Sequence, residues 1–169
     1  MFNYAKLLDG HDEKERKEAL IYFKMSADQQ HADSIYFYAL LLKRMSFAAG
    51  FKKEIIRYFK LSADKDNSEA MFSYAMMIEE EDKKEAAKYY KKSADYGNTK
   101  AIINYGLMLK QGDGIDQNDE IGYDYIFVAM NLSKRKELYN YVIMLQNGDD
   151  VIQNIERANQ IIELIINNA

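Results

Sequence analysis

Two tyrosines set 16 residues apart recur four times along this chain, as Tyr22 and Tyr38, Tyr58 and Tyr74, Tyr89 and Tyr105, and Tyr125 and Tyr141. The first three intervals carry the same internal order. An aromatic residue and a lysine follow the first tyrosine, then Ser-Ala-Asp at Ser26 to Asp28, Ser62 to Asp64 and Ser93 to Asp95. Extending the register gives Tyr4, Tyr38, Tyr74, Tyr105 and Tyr141, spaced 34, 36, 31 and 36 apart, and Tyr22, Tyr58, Tyr89, Tyr125 and Ile161 as their counterparts. Periods of this size belong to helical repeats that stack through their apolar faces. The spacing from the first series to the second varies between 15 and 20, whereas the spacing back never changes. The joint between repeats is therefore the fixed element, and the loop inside each repeat tolerates deletion.

Composition agrees with helix throughout. The chain has no proline, only eight glycines and 48% hydrophobic residues over 169 positions, enough for one sizeable core. An all-α fold in a single domain is expected, with repeats over about 1–32, 33–67, 68–98, 99–133 and 134–169. Each repeat is expected to hold a helix A and a helix B. Helix A spans about 2–9, 33–44 and 68–79 in the first three, and helix B about 13–29 and 51–65 in the first two. The loops differ in length. Small residues fill Phe47 to Gly50, an acidic turn runs from Glu79 to Asp82, the longest loop holds Gly112, Gly114 and Ile115, and Gly148 sits in the matching place of the last repeat.

Within the joint, Ala27, Ala63 and Ala94 let neighbouring helices approach. Gly97 suits the left-handed residue that ends a helix, a place filled less comfortably by Asp66 and Gln30. Asn67 and Asn98 are placed to cap the helix that follows.

Stepping 100° per residue from the aligned tyrosine assigns the faces of helix A. Ala70, Ala75 and Ile78 fall on its core side in the third repeat. Positions two before and two after point nearly opposite: Tyr36 and Leu40, Phe72 and Met76, Ile103 and Leu107, Tyr139 and Ile143, with Phe2 and Lys6 in the first repeat. This apolar column reads either as a binding groove or as packing against neighbouring repeats. The residue before each tyrosine is Asn3, Phe37, Ser73, Asn104 or Asn140, and an asparagine amide can either grip an extended peptide backbone or bond locally. On helix B, Lys84, Lys88 and Lys92 form a basic line best read as a solvated face.

This pattern resembles the Sel-one-like repeat (SLR) family, relatives of the tetratricopeptide repeat, whose helix A carries Ala, three residues, then Leu-Gly, and whose loop carries Gly-x-Gly-Val. The fourth repeat is the fullest match, with Ala101, Tyr105, Gly106, Gly112, Asp113, Gly114 and Ile115. Tyrosine replaces the usual leucine, and Ala39, Ala75 and Val142 replace the glycine. The resemblance implies a right-handed α-solenoid of about five antiparallel helix pairs, with A helices lining a concave face. It also implies a non-catalytic adaptor that holds a protein or peptide segment, with Tyr36, Leu40, Phe72, Met76, Ile103, Asn104, Leu107, Tyr139, Asn140 and Ile143 as the binding set. The alternative is an architectural segment of a longer solenoid, or one that self-associates through its exposed terminal helices.

Other functions find little support. Two isolated histidines, His11 and His31, and no cysteine give neither a recurring catalytic constellation nor a thiolate metal site, so no enzyme, cofactor or metal is expected. A net charge of -4 argues against nucleic acid. No apolar run approaches the roughly 20 residues of a membrane span. With no signal-like segment at either end, an intracellular, cytoplasmic protein is expected.

Overall fold

The computed structural model describes residues 13–27, 31–45, 51–149 and 151–167. Among these, every regular element is an α-helix: α1 (Glu13–Ala27), α2 (Ala32–Met45), α3 (Lys52–Ala63), α4 (Ser68–Ile78), α5 (Lys83–Asp95), α6 (Thr99–Gln111), α7 (Asp119–Met130), α8 (Leu132–Asn147) and α9 (Ile155–Asn167). Counting from α1 as the helix B of the first repeat, helices A and B alternate as the tyrosine register demands. The first helix A, with Phe2, Asn3, Tyr4 and Lys6, lies outside the described residues, as do Gln30 and the loop from Phe47 to Gly50. The chain forms two compact units, residues 1–71 and 72–169.

The aligned tyrosines of one repeat meet edge to face. Ring centroids lie 4.8 Å apart for Tyr38 and Tyr58, 4.7 Å for Tyr74 and Tyr89, and 4.8 Å for Tyr105 and Tyr125, with interplanar angles of 80°, 75° and 81°. The positive ring edge against the negative face makes this geometry favourable. One tyrosine from each helix thus fixes the crossing of the pair, whatever the length of the loop between them.

The joints owe their constancy to hydrogen bonding and to small residues. Ser26, Ser62 and Ser93 are buried, and a buried hydroxyl needs a partner. In the first compact unit, Ser26 Oγ shares a 2.7 Å hydrogen bond with Ser34 Oγ, and Ser62 Oγ donates to the Ala32 carbonyl at 2.7 Å. Each serine ties helix B to the start of a helix A. Phe23 stacks on Phe37 at 5.5 Å, and Tyr36 packs on Phe37 and Phe59.

Helix ends follow from the same few residues. Asp66 and Gly97 take positive φ, +64° and +83°. Asn67 Oδ1 then accepts from Ala70 N at 2.7 Å, and Asn98 Oδ1 from Ala101 N at 3.1 Å, satisfying otherwise orphaned donors of α4 and α6.

In the second compact unit, the loops of the fourth and fifth repeats share one construction. Gly112 and Gly148 turn the chain at positive φ. Gln117 and Gln153 donate their side-chain amides back to the carbonyls of Lys110 and Gln146, at 3.0 and 2.8 Å. Asn118 and Asn154 cap α7 and α9 by accepting from Ile121 N and Arg157 N at 3.0 and 2.8 Å.

Candidate interaction surface

The apolar column of the A helices is largely interior. Leu40, Phe72, Met76, Ile103 and Leu107 are buried and Tyr36 is half-buried, whereas Tyr139 and Ile143 are 50% and 53% exposed. One open column through all repeats is therefore not what the burial describes. The reason is packing on a second side. Within the second compact unit, the Phe72 ring lies 5.8 Å from that of Tyr141 and 5.9 Å from that of Tyr90, with Lys100 Nζ over it at 5.2 Å. Likewise α6 packs against both α7 and α8.

The two asparagines of the expected set part company. Asn140 is exposed. Asn104 is fully buried and spends its amide on Tyr141, Nδ2 donating to the phenol at 2.9 Å and Oδ1 accepting from it at 3.0 Å. The Tyr141 phenol of the following repeat, and neither a local group nor a peptide backbone, satisfies it.

Beside that pair lies a buried ionic group that the repeat pattern did not reveal. Arg157 of α9 grips Glu79, just past α4, through Nη1 to Oε2 at 2.9 Å and Nη2 to Oε1 at 2.5 Å. Tyr90 donates to the same carboxylate at 2.7 Å. Burial pushes the Glu79 carboxyl up, but the hydrogen bonds and charge of Arg157 and the Tyr90 phenol outweigh it and hold the group below its ordinary value. Burial raises both phenols, Tyr90 well above the usual range and Tyr141 to about 12. The only signal in the sequence is an arginine on the apolar side of α9, among Ala158, Ile161 and Ile165. Bidentate and spent on one another, these groups hold helices together.

A cleft of about 160 Å³ opens beside Glu79 and Arg157, and larger ones lie elsewhere in the second compact unit. Gly106 and Gly122 face each other where α6 crosses α7. A Cβ on Gly106 would stand 2.9 Å from the Gly122 carbonyl, and one on Gly122 would stand 2.7 Å from Lys110 Cγ. This close crossing lets the Lys110 side chain lie across α7, with Nζ 4.0 Å from the Tyr123 ring centroid. Together with α9 they enclose a cleft of about 380 Å³ whose lining includes Leu107, Lys110, Tyr123, Glu163 and Leu164. One turn on from Tyr123, Phe127 is 77% exposed. The corresponding position holds Lys24, Lys60 and Lys91 in the first three repeats and Glu163 in the last. An exposed phenylalanine where every other repeat puts a charge is the signal that the face analysis of helix A passed over.

A second cleft, of about 420 Å³, is lined by Lys84, Lys88, Lys91, Tyr105 and Ile115 among others. Lys88 and Lys92 lie over the Tyr89 ring at 5.9 and 5.2 Å, and Lys91 pairs with Asp95 at 2.9 Å, so this basic line covers its own helix. Among the described residues, no cluster of three or more histidine or carboxylate side chains is arranged to hold a metal ion, and no helix is long and apolar enough to cross a membrane. His31 is exposed at a joint, and His11 lies outside the described residues.

Comparison with known proteins places the fold. The Sel1 repeat model matches residues 1–31, 68–98, 99–126 and 138–163. A Sel1 repeat protein from Oxalobacter formigenes superposes with a TM-score of 0.69 at 17% identity, over 99% of this chain and 71% of that one. A protective antigen present in uropathogenic Escherichia coli strains, which displays an SLR fold, superposes with a TM-score of 0.73 at 20% identity; 99% of this chain corresponds to 39% of that one. No curated protein sequence matches.

Proposed function

The chain belongs to the Sel1 repeat family, and from that premise we propose that it is a non-catalytic scaffold that holds a protein or peptide segment against the cleft between α6, α7 and α9. Sel1 repeats generally mediate protein interactions, and their solenoids are typically non-catalytic. The observation that carries the reading is Phe127, 77% exposed at a position charged in every other repeat. Phe127 does not itself line the cleft but lies one turn from Tyr123, which does so with Leu107 and Leu164, and it extends the apolar surface on which a docked segment anchors. Lys110 and Glu163 at the rim offer one charge of each sign, which orients a segment without selecting for a strongly charged one.

Of the residues expected from sequence, Leu107 lines this cleft, while Ile103 and Asn104 are fully buried. The partner is protein, not nucleic acid or bilayer, and the reading extends to an intracellular, cytoplasmic place of action, with which a cysteine-free chain is compatible.

The test is a peptide selected from a random library on the wild-type chain and titrated by fluorescence anisotropy against Phe127→Lys. That substitution installs the residue the first three repeats carry, so the melting temperature should stay unchanged while affinity falls at least about tenfold, the loss of one buried aromatic anchor. Equal affinity for both chains would remove the cleft from consideration.

A further inference from the structure

The cleft at Leu107 and Tyr123 does not end at Lys110. Gln111 of α6 and Gln160 of α9 line both that cleft and the one beside Glu79 and Arg157, so the two are neighbouring stretches of one groove within the second compact unit. Its α9 wall is a single stripe, Glu156, Gln160, Glu163, Leu164 and Asn167, at i, i+4, i+7, i+8 and i+11. Its α6 wall is Leu107, Lys110 and Gln111, at i, i+3 and i+4. In the preceding repeat the matching positions on α7, Glu120, Asp124, Phe127 and Val128, are exposed although another helix pair follows them. The stacking of repeats therefore leaves this stripe open.

The two stretches differ in chemistry. The first is apolar at Leu107, Tyr123 and Leu164, with Lys110 and Glu163 as one charge of each sign. The second holds four carboxylates, Glu79, Glu80, Asp113 and Glu156, against two cations, Lys83 and Arg157. Both cations are spent inside the fold. Arg157 is paired with Glu79, and Lys83 with Asp113 at 2.8 Å. Glu80 and Glu156 are the carboxylates left over, both exposed and with no hydrogen bond or ion pair among the described residues. At the junction, the amides of Gln111 and Gln160 are likewise unengaged, each with donors and an acceptor to offer.

Resting on the reading of the apolar cleft as a docking site, we propose that the docked segment is extended and carries a lysine or arginine three or four residues from its apolar anchor. The anchor sits beside Leu107 and Leu164, the cation against Glu80 and Glu156, and the intervening backbone on Gln111 and Gln160. Charge complementarity selects this occupant. An acidic residue in the second stretch would meet two uncompensated carboxylates and no uncommitted cation, whereas a basic one supplies their missing partner. The spacing comes from α9. Glu156 and Leu164 are two helical turns apart, about 12 Å at a rise of about 1.5 Å per residue. An extended chain covers that distance in three or four residues at about 3.3 Å each.

A random peptide library is selected on the whole wild-type chain, and one selected peptide is titrated by fluorescence anisotropy. The selected sequences should share a lysine or arginine at that spacing from an aliphatic or aromatic residue. Glu80→Gln with Glu156→Gln changes exposed side chains only and should bind the peptide about fivefold more weakly, the upper worth of an exposed ion pair. Wild type and this double variant should bind equally a version of the peptide with norleucine in place of its basic residue, and added salt should weaken only the wild-type complex with the basic peptide. Glu156→Lys should reverse the preference, toward a version carrying glutamate there, a gain that damage to the fold cannot imitate. Selected peptides that lack the basic residue, or that carry an acidic one in its place, overturn the proposal. So does equal binding by the double glutamine variant while Phe127→Lys still loses affinity, a result that leaves the docking cleft itself standing. A peptide held as tightly by Phe127→Lys as by wild type removes the cleft, and this proposal with it.

Discussion

Glu79 and Arg157 stand 78 residues apart in the sequence and meet as a bidentate ion pair, with 13% and 10% of their side chains exposed. Removing one partner strands the other charge in a low-dielectric site. Arg157→Met should therefore lower the unfolding free energy by about 3–5 kcal/mol, measured by urea denaturation. Replacing both partners by apolar side chains, Glu79→Leu with Arg157→Met, should recover most of the loss, because the ion pair itself roughly offsets its own desolvation. A double variant as weak as the single one would show that the pair holds the fold by more than charge balance.

The same group makes stability depend on pH at both ends. The Glu79 carboxyl lies below its ordinary value of 4.5 in the folded chain, so the stability it contributes is fully present above that pH and lost as pH falls through the folded value. Glu79→Gln should flatten this acid limb of the stability profile. Tyr141 is raised from 10.0 to about 12, first by burial. Its contribution is fully present below pH 10 and drains away as pH climbs toward about 12. Tyr141→Phe should abolish that part of the alkaline limb while leaving Asn104 without its partner, hence weaker at neutral pH by about 1–3 kcal/mol. Urea midpoints across the pH range read both limbs.

Phe72 and Tyr139 occupy the same register position and should respond in opposite ways. Phe72 is buried between Tyr90, Tyr141 and the Lys100 side chain, so Phe72→Ala opens a cavity and should cost about 3–5 kcal/mol. Tyr139→Ala, at half exposure, should stay within about 0.5 kcal/mol in the monomer. Thermal melts at low protein concentration separate the two; matched losses would mean that Tyr139 is packed after all.

How much of this was legible beforehand follows from what a repeat register can encode. It placed the helix pairs, the serine joints and the capping asparagines, because these depend on neighbours within about one repeat. It also named Gly97 and Asp66 as the left-handed residues. It could not say that Phe72 touches Tyr141 or that Glu79 meets Arg157, since those contacts skip a repeat and depend on how the helices of the second compact unit close together. The column on helix A follows from the register, but a helical wheel cannot tell an open face from one that later helices cover. Phe127 was available to inspection as the one apolar residue in a column of charges, and it was missed because helix B was read only for its lysines.

Asp66 offers a gain in place of a loss. It holds φ at +64°, where a side chain crowds the backbone, at the position that Gly97 fills at +83° one repeat later. A Cβ at Gly97 meets nothing within 4 Å, so the preference for glycine there is conformational and not a matter of space. Asp66→Gly relieves the strain but frees the unfolded chain, and Asp is among the better-tolerated residues in this region. The net gain should be about 0.5 kcal/mol. Gly97→Ala, the reverse experiment, should cost about 1 kcal/mol without any steric clash. Paired urea denaturation of the two variants decides it. If Asp66→Gly destabilises the chain, the aspartate side chain itself contributes to that joint, and left-handed strain is not what limits it.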